Sequence, residues 1–385
     1  MEQSSGRSFA LGSLLFLAFL LFLNFCSRMI LSPLLLSIEE EFGISHAQGG
    51  SFFLITTFGY SVTMLFSGFL SHRLGHRTTI IVSVYSFGAA LFLLASSTTI
   101  GMVKLGLLLL GIGGGLYAPS GMSTIPTLAE SKHWGKAYAI HEIGPLAAFV
   151  AAPLIAEIVL RYRSWQTAYL FLSIGALVGA TSYMLFGKGG RLRGEQPRLY
   201  NLAKIIKEPA FRILALFFVL SVGLELGVYA MLPTFMVVEH NIDRGLVNTI
   251  VSLSRISGIV FIFVSGILVD KIGERLLIGV ICSVTGALTI LLGIVTGKLL
   301  IVVIFLQPLL ITAFFPAAFS ALAKMIPHQL HSLSISLLIP AAYLFGAGVV
   351  PTFIGFLADL GLFPWGFIIL GAGMFAVLTQ LKRVG

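Results

Sequence analysis

A chain of 385 residues in which hydrophobic types make up 57% and charged types 10% carries too little charge to cover a water-soluble globule of that size. With a mean hydropathy of +1.01, it reads as a protein that crosses a membrane repeatedly; at ~20 apolar residues per helix plus a short loop, about twelve crossings fit. The net charge of +9 would suit a nucleic-acid binder in a soluble protein, but the positions of the charges offer a simpler account.

Twelve apolar stretches follow one another, at roughly 9–36, 49–71, 78–98, 101–124, 137–160, 166–187, 210–237, 247–269, 275–296, 299–325, 332–358 and 364–381. The first is too long for the apolar core of a signal peptide, and no small-residue cleavage site follows it. One long polar segment, Lys188 to Pro209, holds six Lys or Arg and separates the sixth stretch from the seventh. The predicted organisation is all-α and polytopic: a six-helix bundle at 1–187, a basic linker at 188–209 and a second six-helix bundle at 210–385.

With the N-terminus in the cytoplasm, seventeen of the 24 Lys and Arg fall on cytoplasmic segments. Four (Arg161, Arg163, Arg244, Lys298) fall on outer loops and three (Arg28, Lys104, Arg255) within spans. That asymmetry sets both termini in the cytoplasm of a multi-pass inner-membrane protein. The basic residues then face anionic lipid head groups, which accounts for the net charge without nucleic acid. Cys26 and Cys282 lie in apolar runs and fit no metal spacing.

The loop after the second stretch recurs. Gly68, His72, Arg73, Gly75 and Arg77 are answered 198 residues later by Gly266, Asp270, Lys271, Gly273 and Arg275. Pro119 and Pro316, Pro153 and Pro351, and Trp165 and Trp365 repeat at offsets of 197, 198 and 200. Landmarks in so nearly one register imply two parallel repeats of six spans each.

On these residues the chain resembles the major facilitator superfamily of secondary transporters over essentially its whole length. The resemblance implies two pseudo-symmetric six-helix bundles around a central cavity, alternating access, and a repeated loop that locks the halves in one state. The family loop has an acid where the first copy here has His72, while the second keeps Asp270. This implies a first-half lock that is weakened or sensitive to pH.

Charges within the spans locate function, because a charge at mid-bilayer costs at least ~2.5–3.5 kcal/mol and usually faces a cavity or a partner. Arg28 lies eleven residues before Glu39, ~16 Å inside it at 1.5 Å per residue. Asn24 stands one turn away on the same face. Arg28 is read as an anion site, the alternative being a structural pair with a neighbouring helix. Arg255, among Ser252, Ser254 and Ser257, is either a second anion ligand or a partner of Glu225. Tyr229 and Tyr343 are candidate lining residues. Arginines in helices 1, 7 or 8 also resemble facilitator families that carry carboxylates or organophosphates.

A proton-coupled carrier needs an acid that exchanges its proton near neutrality, and apolar surroundings move a carboxyl toward that range. Glu225 is the first candidate; Glu142, beside His141, is the second, unless that pair simply meets Lys132 and Lys136. Drug–proton antiporters of the family carry an arginine before the helix-4 glycine cluster, where Leu107 stands here, and Gly-Pro late in helix 5, where Ala152-Pro153 stands. The expected function is a proton-coupled symporter of a small organic anion, acting as a monomer without metal or cofactor. The alternatives are an exporter of amphipathic compounds and a non-transporting sensor. No Gly-x-Ser-x-Gly, His-Glu-x-x-His or phosphate-loop motif suggests an enzyme.

Overall fold

The computed structural model describes residues 10–190, 192–194, 202–256, 272–325 and 331–383. Gly266, Asp270 and Lys271 lie outside them, as do much of the eighth stretch and parts of the linker. Every regular element among the described residues is helical. Ten helices there are long and apolar enough to cross a membrane, and Phe363–Leu378 is a shorter apolar helix where the twelfth span was expected. Spans are numbered here by the twelve stretches of the sequence.

The chain gathers into two compact units, Met1–Ile30 with Phe58–Pro197, and Leu31–Thr57 with Arg198–Gly385. The boundary does not follow the linker alone. The C-terminal part of span 1 and the start of span 2 belong to the second unit.

In the first unit, span 1 (Leu11–Phe42) packs up to Ile30 along span 5 (Ser131–Leu160), and span 3 (His76–Ala95) along span 6 (Trp165–Phe186) and span 4 (Ile100–Thr127). The glycine run of span 4 makes this possible. A Cβ on Gly113 would stand 2.5 Å from the Phe87 amide of span 3, and one on Gly115 would stand against the Tyr60 carbonyl of span 2 (His46–Leu74). Small residues let helix backbones approach closely where side chains would hold them apart. The bare carbonyl of Gly113 then accepts a hydrogen bond from Ser83 Oγ at 2.6 Å, and that of Gly114 accepts from Asn24 Nδ2 at 3.0 Å.

The second unit repeats the pairing. Span 7 (Phe211–Val238) packs on span 11 (Ser334–Asp359), and span 9 (Glu274–Leu292) on span 12 and span 10 (Gly297–Met325). The repeated prolines explain repeated breaks. Pro119 interrupts span 4 at Leu116, and Pro316 follows the break between Ile311 and Phe314 in span 10. In each case the ring removes an N–H and crowds the carbonyl four residues earlier. Pro33 acts likewise, dividing span 1 at Ile30.

The loop glycines repeat in conformation as well as in sequence. Gly75 and Gly273 precede spans 3 and 9 with φ of 80° and 79°, a backbone region open essentially to glycine alone. Arg77 donates through Nη2 to the Met184 carbonyl at 2.8 Å, capping the end of span 6.

Candidate functional site

The first unit holds Arg28 almost fully buried, 5% exposed. Its Nη2 donates to Asn24 Oδ1 at 3.3 Å and its Nε to the Asn24 carbonyl at 3.4 Å. The i, i+4 spacing read from the sequence therefore becomes a contact. Asn24 is itself fixed, because its amide nitrogen donates to Gly114 of span 4. The guanidinium lies 4.6 Å from the Phe25 ring centroid and 4.2 Å from that of Tyr60. Cations over aromatic faces gain from the ring quadrupole, and more so away from water.

His141 and Glu142 occupy a second setting in this unit. His141 is buried, its ring stacked on Tyr117 at 6.1 Å, with Nε2 3.3 Å from the Tyr117 hydroxyl. That hydroxyl gives its hydrogen to the Leu17 carbonyl at 2.7 Å. Nε2 must therefore carry a proton to bond the Tyr117 oxygen. Nδ1 faces the half-exposed carboxyl of Glu142, 3.2 Å from its Oε1. Lys132 does not serve this pair: it meets Glu130 at 2.8 Å, which holds the Glu130 carboxyl below the usual range. Tyr117 was not singled out in the sequence, although it stands two residues after the glycine cluster.

In the second unit, Arg255 is 7% exposed, and its guanidinium lies 4.8 Å from the centroid of Tyr229. Glu225 attracts it electrostatically. Glu225 sits in a π-turn, Gly223–Gly227, whose glycines pack on Gly346 and Val350 of span 11. Tyr343 opens a second π-turn, Tyr343–Val349, which packs against the first. Such turns recur at functional positions because they widen the helix and turn out a carbonyl. Gln307 of span 10 takes the Leu224 carbonyl with Nε2 at 2.8 Å. Gln307 also escaped the sequence reading, although it is the one amide in the run Ile301 to Ile311.

Prolines supply further carbonyls. Pro233 leaves the Tyr229 carbonyl without its helical donor, and Ser32 Oγ donates to it at 2.7 Å. Beside the far end of span 7, burial pushes the imidazole of His240 below its ordinary range despite the opposing charge of Glu239.

Among the loop residues, His72 donates through Nδ1 to the Gly194 carbonyl at 2.9 Å. The linker start lies along this loop, since the amides of His76 and Arg77 donate to Leu192 and Gly190. In the second copy, Glu274 pairs with Lys324 at 2.5 Å and accepts from Ser320 at 2.7 Å, while Arg275 is exposed. Groups of His, Cys, Asp or Glu suited to a metal are absent among the described residues.

The sequence profile of the Major Facilitator Superfamily matches residues 17–298 and 213–382. A probable nitrate transporter, NarT of Staphylococcus epidermidis, is 24% identical over 281 residues, 70% of this chain and 70% of its own length. The chloramphenicol resistance protein CraA of Acinetobacter baumannii is 27% identical over 71% of this chain and 67% of its own. In fold, the chain superposes on a bacterial homologue of the human lysosomal transporter Spinster with a TM-score of 0.83 at 14% identity, covering 99% of this chain and 98% of the other. A D-xylose–proton symporter superposes with a TM-score of 0.77 at 13% identity, over 97% and 98% of the two chains.

Proposed function

The chain belongs to the major facilitator superfamily of secondary transporters, and on that premise we propose that its cargo is a small organic anion of carboxylate type, carried inward with a proton. The carrying observation is that each unit buries an arginine over a tyrosine ring, Arg28 over Tyr60 and Arg255 over Tyr229. A guanidinium held in place inside a membrane protein offers a carboxylate two parallel donors and a full charge. The likeness to a probable nitrate transporter supports an anionic cargo.

Glu225 and the His141–Glu142 pair are the proton-exchanging groups in this reading. A proton bound with the anion cancels its charge and lowers the cost of crossing. In this reading the segments that carry Arg73, Arg77 and Arg275 face the cytoplasm from an inner membrane. The chloramphenicol resistance relative favours a second reading, export of amphipathic compounds.

Uptake into inverted and right-side-out vesicles separates the two. Radiolabelled small carboxylates should accumulate in right-side-out vesicles when the outside is acidified, and an ionophore should abolish the accumulation. Accumulation of chloramphenicol in inverted vesicles, with no carboxylate uptake in either, would replace the anion reading with export.

A further inference from the structure

In the second unit, the hairpin Leu31–Thr57 is held by a set of polar contacts that the transport reading leaves unused. Asp359, at the end of span 11, accepts hydrogen bonds from the backbone N–H groups of His46 at 2.8 Å and Ala47 at 3.0 Å. It thereby caps the first turn of span 2, where unsatisfied donors and the helix dipole favour a negative charge. His46 Nδ1 donates to Glu39 Oε2 at 2.8 Å and ties the two arms of the hairpin. Arg244, at the start of span 8, holds Ser37 at 2.9 Å. The backbones of spans 2 and 11 meet directly: a Cβ on Gly355 would strike the His46 carbonyl, and one on Gly50 would strike that of Pro351.

Glu39 is the unusual member. It is 4% exposed, and its Oε1 accepts no hydrogen bond from the described residues. That oxygen lies against Gly49, where any side chain would collide with it. A buried carboxylate with one bare oxygen is costly unless a cation stands beside it. The charged groups facing it are His46 from span 2, Glu40 on its own span and Asp359 from span 11, with Glu239 from the end of span 7 close to His46. Among these, His46 is the group that can supply positive charge, and only when it holds a second proton.

We propose that Glu39 and His46 form a proton-binding pair, and that a proton held there fastens the hairpin Leu31–Thr57 onto span 11. With His46 charged, Glu39, Asp359 and Glu239 surround a cation and the capped turn is secured. With His46 neutral, three carboxylates face one another and the hairpin is released. The contribution is present at low pH and lost as pH rises through the titration of the pair, which behaves as one unit. In the proton-symport reading, on which the transport meaning of this pair rests, a proton arriving from outside would fasten the hairpin after the cargo has entered.

The test reads hairpin docking without transport. Thr352, whose Oγ1 donates to the Gly50 carbonyl at 3.2 Å, becomes a reporter as Thr352→Cys; Tyr162→Cys, at a position 79% exposed, is the control. Cys26 and Cys282 are buried and do not compete for label. The ratio of maleimide labelling rates at the two positions should rise several-fold between pH 6 and pH 8.5, as the pair gives up its proton. His46→Gln should flatten the profile, and Asp359→Asn should give a high ratio at every pH while eluting as a monodisperse peak. A profile unchanged in His46→Gln overturns the proposal, as does a wild-type ratio that does not vary. If the profile appears but uptake ignores the proton gradient, the pair stands and the symport reading fails.

Discussion

The two buried arginines sit in unlike settings. The described hydrogen bonds of Arg28 go to Asn24, an amide that cannot change its charge and is itself anchored to Gly114. Arg255 shares its surroundings with Glu225, a carboxyl on a widened helical turn. Both guanidiniums lie over tyrosine rings. Under the proposed function, the difference gives them different work. The amide acceptor described beside Arg28 keeps the same charge at every pH, which suits a group that binds an anion. Around Arg255 the net charge depends on whether Glu225 holds a proton, which suits a group that couples cargo to protons.

The largest effect expected from this contrast is in Arg28→Ala. A charge-assisted contact is worth ~1.5–3 kcal/mol, so uptake at subsaturating substrate should fall about tenfold to 100-fold. Arg28→Lys keeps the charge but loses the planar fork, and should recover only part of the rate. Wild-type uptake by Arg28→Ala would remove the Arg28 anion site altogether. Next in size is Glu225→Gln, which removes the exchangeable proton and nearly keeps the shape. Wild-type uptake should rise as the outside is taken from pH 8 to pH 6. In Glu225→Gln the profile should be flat, with concentrative uptake about tenfold lower and exchange of internal for external substrate preserved. If Glu142→Gln flattens the profile and Glu225→Gln does not, coupling belongs to the His141–Tyr117 setting instead. Arg255→Ala should follow with a smaller loss. It should also move the acid-stimulated rise to higher pH, since removing a neighbouring cation makes a carboxyl hold its proton more firmly. An unshifted profile would show that Arg255 and Glu225 act separately.

Much of this contrast is legible in the sequence, and the remainder is not, for a definite reason. Hydropathy and proline positions depend on one helix at a time, so the spans, the repeat and the breaks at Leu116 and Ile30 can be read from residue order. Positive φ at Gly75 and Gly273 is likewise foreshadowed by glycine standing twice in one motif. Asn24 beside Arg28 follows from spacing on a single helix. Ser32 meeting the Tyr229 carbonyl, Gln307 meeting Leu224 and Tyr117 meeting His141 depend on how two helices are rotated against one another. Residue order does not fix that rotation. Among 32 phenylalanines and ten tyrosines, composition also gives no ground for choosing Tyr60 as the ring beneath Arg28. Lys132, offered by closeness in sequence as an alternative partner of the His141–Glu142 pair, meets Glu130 in the loop instead.

The finest test of the contrast uses the two rings. A cation over an aromatic face is worth ~0.5–2 kcal/mol, toward the upper end when water is excluded. Tyr60→Phe keeps the ring under Arg28, and Tyr229→Phe keeps it under Arg255. Both should change uptake less than about twofold if the face, and not the hydroxyl, is what the guanidinium uses. Tyr60→Leu and Tyr229→Leu remove the face. If Arg28 is an anchored binding site, Tyr60→Leu should raise the KM a few-fold at every pH. If Arg255 answers to a proton on Glu225, Tyr229→Leu should act mainly above the titration of that acid, where an ionised Glu225 competes with the ring for the guanidinium. Equal, pH-independent effects at the two tyrosines would mean that both arginines are anchored alike, and the division of labour between them would be lost.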